Sequence, residues 1–128
     1  MSRSDDMVPR AHPDAALSDV ELKSLFQRLR DERGVVAEQI EALERDLEAR
    51  ADCAIRDVAD AAAFLESNER AATLLRQRRQ GLDEIEAALG RMKSGAYGVS
   101  ETTGEPIALK RLQAMPWARQ GVDPGPSE

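Results

Sequence analysis

Two aspartates three residues apart, Asp57 and Asp60, are the residues of this 128-residue chain whose type and spacing most invite a chemical reading. They fall in a short acidic, alanine-rich stretch between Arg50 and Ala63, where a helix should begin. Carboxylates in a first helical turn are favoured by unpaired amides and by the helix dipole, so ordinary capping is one account of the pair. Other chemistries lack their parts. Tetrahedral zinc needs four cysteine or histidine ligands at set spacings, and the chain has one of each, Cys53 and His12. Serine nucleophiles have no base nearby, and no glycine-rich phosphate loop is present. Cys53 beside Arg50 or Arg56 would suit a redox sensor if exposed, since cations lower a thiol pKa, but an unreactive small residue in a tight turn is the plainer reading. An enzyme is not expected.

The elements that must carry the aspartates are two heptad runs. Leu22, Leu29, Val36 and Leu43 recur every seven residues, with Phe26, Ile40 and Leu47 on the adjoining stripe; Leu75, Leu82 and Leu89 repeat the step, flanked by Ile85 and Met92. Sustained heptads pack helix against helix. Ser18 and Glu21 form a capping box, which starts the first helix near Asp19 and lets it run to about Arg50 through Gly34. A helix of that length is roughly 45 Å long. The second helix is expected to start between Arg56 and Asp60 and to stop near Met92, before Lys93-Ser94-Gly95. The polar break between the runs is then the tip of a hairpin.

Composition narrows the class. The 41% hydrophobic share includes 20 alanines and only four aromatic residues, which suits thin helix seams better than a broad interior or an enzyme pocket. A formal net charge of -6 argues against general phosphate neutralisation, so direct sequence-specific DNA binding is not expected. Arg76, Arg78 and Arg79 cluster, but acids surround them within two turns, as on a solvated helix face. No apolar run is long enough to span a bilayer and no signal core opens the chain, so a cytoplasmic protein is expected; the lone cysteine agrees with a reducing compartment.

The expected organisation is a flexible leader over 1–17, a coiled-coil hairpin over 18–93 with its tip near 51–62, a small module over 94–120 and a flexible tail over 121–128. The fold class is mostly α, a long antiparallel coiled-coil hairpin with a small C-terminal module. In that module Tyr97 to Val99 and Ile107 to Leu109 are expected as short strands and Lys110 to Ala114 as one helical turn. Tyr97, Ile107, Leu112, Met115 and Trp117 would pack on the open ends of both helices.

Gly95-Ala-Tyr-Gly98, Gly104-Glu-Pro-Ile107 and Arg111-Leu-Gln-Ala114-Met-Pro116-Trp-Ala118 resemble the terminal module of the DksA/TraR family of bacterial RNA polymerase regulators. The resemblance covers most of residues 18 to 124. It implies a hairpin tip of the form Asp-x-x-Asp-x-Ala, which falls on Asp57, Asp60 and Ala62. It implies that a coiled-coil arm enters the secondary channel of RNA polymerase, where tip carboxylates act on basic groups or on the catalytic magnesium and modulate initiation. Where the family's zinc finger has its four cysteines, this chain has Ser100, Thr103, Gly121 and Pro124, a degenerate set, so zinc is not expected, and Trp117 is expected to replace part of the lost cross-link. The positions matching the family's contacts to the alarmone ppGpp are Glu84 and Met115, which cannot pair with phosphate, so a ppGpp response is not expected; Lys110 and Arg111 are the remaining basic candidates for a phosphate or rim contact. No resident cofactor is expected, and the intramolecular hairpin implies a monomer. Two rivals stand beside this reading: a structural or adaptor coiled coil, and a Gre-type transcript-cleavage stimulator, which the terminal motif fits poorly.

Overall fold

A computed structural model describes residues 8–51 and 58–121 of the chain. Most of them are helical: α1 spans Asp19–Ala51, α2 spans Val58–Ser94 and α3 spans Leu109–Ala114. The capping box forms as the sequence dictates. The Glu21 amide donates to Ser18 Oγ at 3.1 Å, and the Ser18 amide donates to Glu21 Oε1 at 2.9 Å, satisfying two donors that the helix start would leave unpaired. α1 continues through Gly34, which faces open space. The antiparallel pairing of α1 with α2 makes this a mostly α, coiled-coil hairpin fold, divided into two compact units.

The first unit takes the chain up to Glu32 and from Glu84 onwards. Its core is drawn from four pieces: Leu22, Leu25, Phe26 and Leu29 of α1; Ile85, Ala88, Leu89 and Met92 of α2; Leu112 of α3; and Tyr97, Ile107, Pro116 and Ala118 of the connecting turns. Burying each large apolar side chain stabilises the unit by about 1.5–3 kcal/mol relative to exposure. α2 ends at a glycine in the left-handed region, Gly95 (φ 81°), with the Ala96 amide donating to the Arg91 carbonyl at 2.8 Å.

Residues 8–17 depart from the expected flexible leader. The Arg10 amide donates to the Met92 carbonyl and the His12 amide to the Tyr97 carbonyl, both at 2.8 Å, and Ala11 forms a parallel bridge with Tyr97. The Arg10 guanidinium also caps the end of α2, donating to the Lys93 carbonyl at 2.5 Å. The expected strands at Tyr97–Val99 and Ile107–Leu109 reduce to a single antiparallel bridge, Val99 with Pro106. The Ser100 amide donates to the Glu105 carbonyl and the Ile107 amide to the Gly98 carbonyl, both at 2.8 Å, and the pairing goes no further because Leu109 is already the first residue of α3.

The second unit is Arg33–Asp83, a stretch of α1 beside a stretch of α2. Only Val36, Ile40 and Leu75 are fully buried among its described residues, each about 8% exposed. Leu43, Leu47 and Leu82 are half-buried. Ion pairs and hydrogen bonds supplement this thin seam: Arg79 reaches across to Glu44 Oε2 at 2.6 Å, and Arg50 reaches Ser67 and Asn68.

Candidate functional site: the acidic end and the C-terminal module

The acidic stretch covers the break between α1, which ends at Ala51, and α2, which begins at Val58, together with the first residues of α2. Asp57 falls outside the described residues. Asp60 belongs to the first turn of α2, with its side chain outside the described set, and Ala62 is exposed in the next residues of the same helix. Within the second unit, the polar groups nearest in sequence to this segment are those of Arg50. Its Nε donates to Asp46 Oδ2 at 2.9 Å, and its Nη1 donates to Ser67 Oγ at 2.6 Å and to Asn68 Oδ1 at 3.2 Å.

In the first unit, the positions expected to match the family's cysteines have their own chemistry. Ser100 is buried, and its Oγ accepts from the amides of Thr102 and Thr103 at 3.2 and 3.3 Å while sharing a 3.0 Å hydrogen bond with Thr102 Oγ1. Thr103 Oγ1 accepts from the Glu105 amide at 3.2 Å. Gly121 offers no side chain, and Pro124 lies outside the described residues. These hydroxyls already serve the turn around Gly104 (φ 76°), and they are poor ligands for a borderline-soft metal. The donor set does not fit zinc. Among the described residues no group of three or more His, Cys, Asp or Glu side chains is arranged to hold a metal.

What joins this turn to α2 is a chain of charges. Arg119 Nε donates to Glu84 Oε1 at 2.8 Å and its Nη1 lies 3.2 Å from Glu101 Oε2. Arg91 Nη1 stands 3.6 Å from the same Glu101 oxygen, while its Nη2 donates to the carbonyls of Trp117 and Ala118 at 3.2 and 3.4 Å. Burial pushes the Arg91 pKa down, with Glu101 opposing that shift, whereas the hydrogen bond to Glu84 raises that of Arg119. The Glu101 amide also donates to the Arg119 carbonyl at 2.8 Å. Sequence reasoning placed Glu84 at a ligand position; the structure engages it in this network, which only the fold brings together.

The basic candidates separate. Lys110 is exposed in the first turn of α3. Arg111 is half-buried, and its Nε donates to the Gln120 carbonyl at 3.0 Å, so part of its guanidinium serves the module itself. Arg28 of α1 holds α3 by donating to the Gln113 carbonyl. Trp117 and Met115 are half-buried, whereas Tyr97, Ile107, Leu112 and Pro116 are fully buried. The Tyr97 hydroxyl donates to the Pro116 carbonyl at 2.6 Å, and burial pushes its pKa well above the usual phenol value.

General stress protein 16O of Bacillus subtilis (strain 168) is 49% identical over 45 residues, 35% of this chain and 28% of that protein. The RNA polymerase-binding transcription factor DksA of Caulobacter vibrioides (strain NA1000 / CB15N) is 38% identical over 86 residues, 67% of this chain and 57% of the relative. The chain therefore spans little more than half of the second and under a third of the first. No family model matches the chain. Among solved structures, transcription factor DksA2 from Pseudomonas aeruginosa superposes with a TM-score of 0.71 at 31% identity, covering 79% of this chain and 77% of that one. Helical hairpin, terminal module and sequence agree, and the chain belongs to the DksA family of transcription factors.

Proposed function

We propose that this protein binds RNA polymerase through its secondary channel and modulates initiation with the acidic end of its hairpin, Asp57, Asp60 and Ala62. The observation that carries the reading is the boundary between the helices. α1 ends at Ala51 and α2 begins at Val58, so the two aspartates stand by sequence at the turn of an antiparallel pair. Kinship with a Caulobacter protein named for polymerase binding supplies the partner. The net charge of -6 suits a basic channel rim. At such a site carboxylates act by charge, on basic groups or on bound magnesium, and no bond is cleaved.

The module works in this reading without zinc and without a ppGpp response. Ser100 and Thr103 satisfy turn amides, and Glu84 is committed to Arg119. Lys110 remains as an exposed rim contact. The test is capture of core RNA polymerase by the full chain, followed by transcription with Asp57→Asn combined with Asp60→Asn. The double variant is expected to bind the polymerase as the parent does and to lose the effect on initiation. Failure to retain polymerase, as an adaptor coiled coil would fail, sinks the proposal; so does a double variant that still acts on initiation.

A further inference from the structure

The seven-residue step that builds the seam does not stop at its last leucines. Leu22, Leu29, Val36 and Leu43 lead next to Arg50, and reading Leu89, Leu82 and Leu75 backwards leads next to Asn68. Both helices therefore place a polar residue at the first seam step on the side of the acidic segment. In the structure these two meet: Arg50 Nη1 donates to Asn68 Oδ1 at 3.2 Å and to the neighbouring Ser67 Oγ at 2.6 Å. Asp46, one turn back on α1, takes the Arg50 Nε at 2.9 Å and balances the charge. The arginine side chain is three-quarters buried, at 26% exposure, although its helix ends one residue later.

A polar residue at a seam position costs stability relative to leucine, because its desolvation is only partly compensated. Its best-attested return is register: a polar seam pair is satisfied at one alignment only, and a slip leaves buried donors unpaired. The surroundings make that service needed. Ala51, Ala61, Ala62, Ala63, Ala71 and Ala72 dominate this end, and alanines interlock too weakly to resist sliding. A slip of one residue would move α2 by about 1.5 Å along its axis and turn Asn68 about 100° from the seam.

Building on the proposed role of the acidic end, we infer that Arg50 is its positioning residue: by bonding Asn68 and Ser67 it fixes the register of α1 against α2 next to the acidic segment. The leucine variant separates this role from stability. Arg50→Leu with Asn68→Leu continues the apolar seam, so its melting temperature should equal or exceed the parent's. In transcription assays with the full chain, its half-saturating concentration should stay within about twofold, while the maximal effect on initiation at saturation falls on the order of tenfold; displacement of a reacting group by about 1 Å costs up to 100-fold. Ser67→Ala with Asn68→Ala, which keeps the arginine, should lower the maximal effect in the same way. A full maximal effect in either variant overturns the inference, and so does a loss that appears only together with a lower melting temperature or weaker polymerase binding. Asp57→Asn with Asp60→Asn, run alongside, tells the two failures apart: if that variant keeps full effect, the acidic end is not the acting group and the positioning role falls with it; if it is inactive while the leucine variant is fully active, only the role of Arg50 is lost.

Discussion

The two units hold the same pair of helices by different means. The first surrounds them with connecting turns and α3, so that Leu29, Met92, Tyr97, Ile107 and Leu112 are all at most 1% exposed. The second has only the facing stripes, and its best-covered side chains, Val36, Ile40 and Leu75, keep about 8%. The difference teaches that a two-helix seam cannot exclude water by itself, because each helix offers one narrow stripe. Ion pairs and the Arg50 cluster then take over the specification that close packing supplies elsewhere.

Truncating one leucine in each unit is the sharpest way to break that contrast. Leu112→Ala should destabilise the protein by about 2–5 kcal/mol, and Leu75→Ala by about 2 kcal/mol or less, because the thin seam can relax into solvent. Chemical denaturation of both variants measures the pair, and equal losses would erase the distinction. A smaller effect concerns the buried phenol. Tyr97→Phe leaves the Pro116 carbonyl without its donor and should cost about 1–2 kcal/mol. Because the folded-state pKa of Tyr97 is raised, its contribution is complete below the unfolded value near 10 and is lost as pH climbs above it towards the folded value. Parent and Tyr97→Phe curves should therefore converge in alkaline denaturation above pH of about 10. Smallest is the exposed pair in the second unit: Arg79→Ala should cost about 0.5 kcal/mol at low salt and nothing measurable at about 1 M. A large, salt-resistant loss there would mean that the seam is drier than its exposure indicates.

Much of the scaffold was legible because it is written in side chains. The heptads gave α1 and α2, the Ser18–Glu21 box gave the start at Asp19, and the turn at Lys110 to Ala114 gave α3 to within a residue. The pairing of residues 10–12 with the module was not legible, since main-chain hydrogen bonds leave no mark in composition. The strand expectation failed because the pairing is confined between the turn at Ser100–Gly104 and Ala108, the N-cap of α3, which leaves room for one bridge. The Glu84–Arg119–Glu101–Arg91 network joins residues distant in sequence, and no local pattern signals it. Arg50 and Asn68 are a different case. Their signal is present in the seven-residue step, which passes from the last leucine of each run to a polar residue.

Gly98 sits where the chain's early residues pass closest: with φ 99°, a side chain added there would meet Ala15 Cβ at 2.6 Å. The terminal module is thus a composite of segments more than eighty positions apart, closed by His12 on Tyr97. During synthesis on the ribosome, α1 can coil while the nascent chain grows, but its preceding residues have nothing to dock on until the last turns emerge. Pairing of α2 with α1 is what brings the two segments together, and a chain halted before Tyr97 would present an unsealed apolar helix end to whatever quality control surveys it.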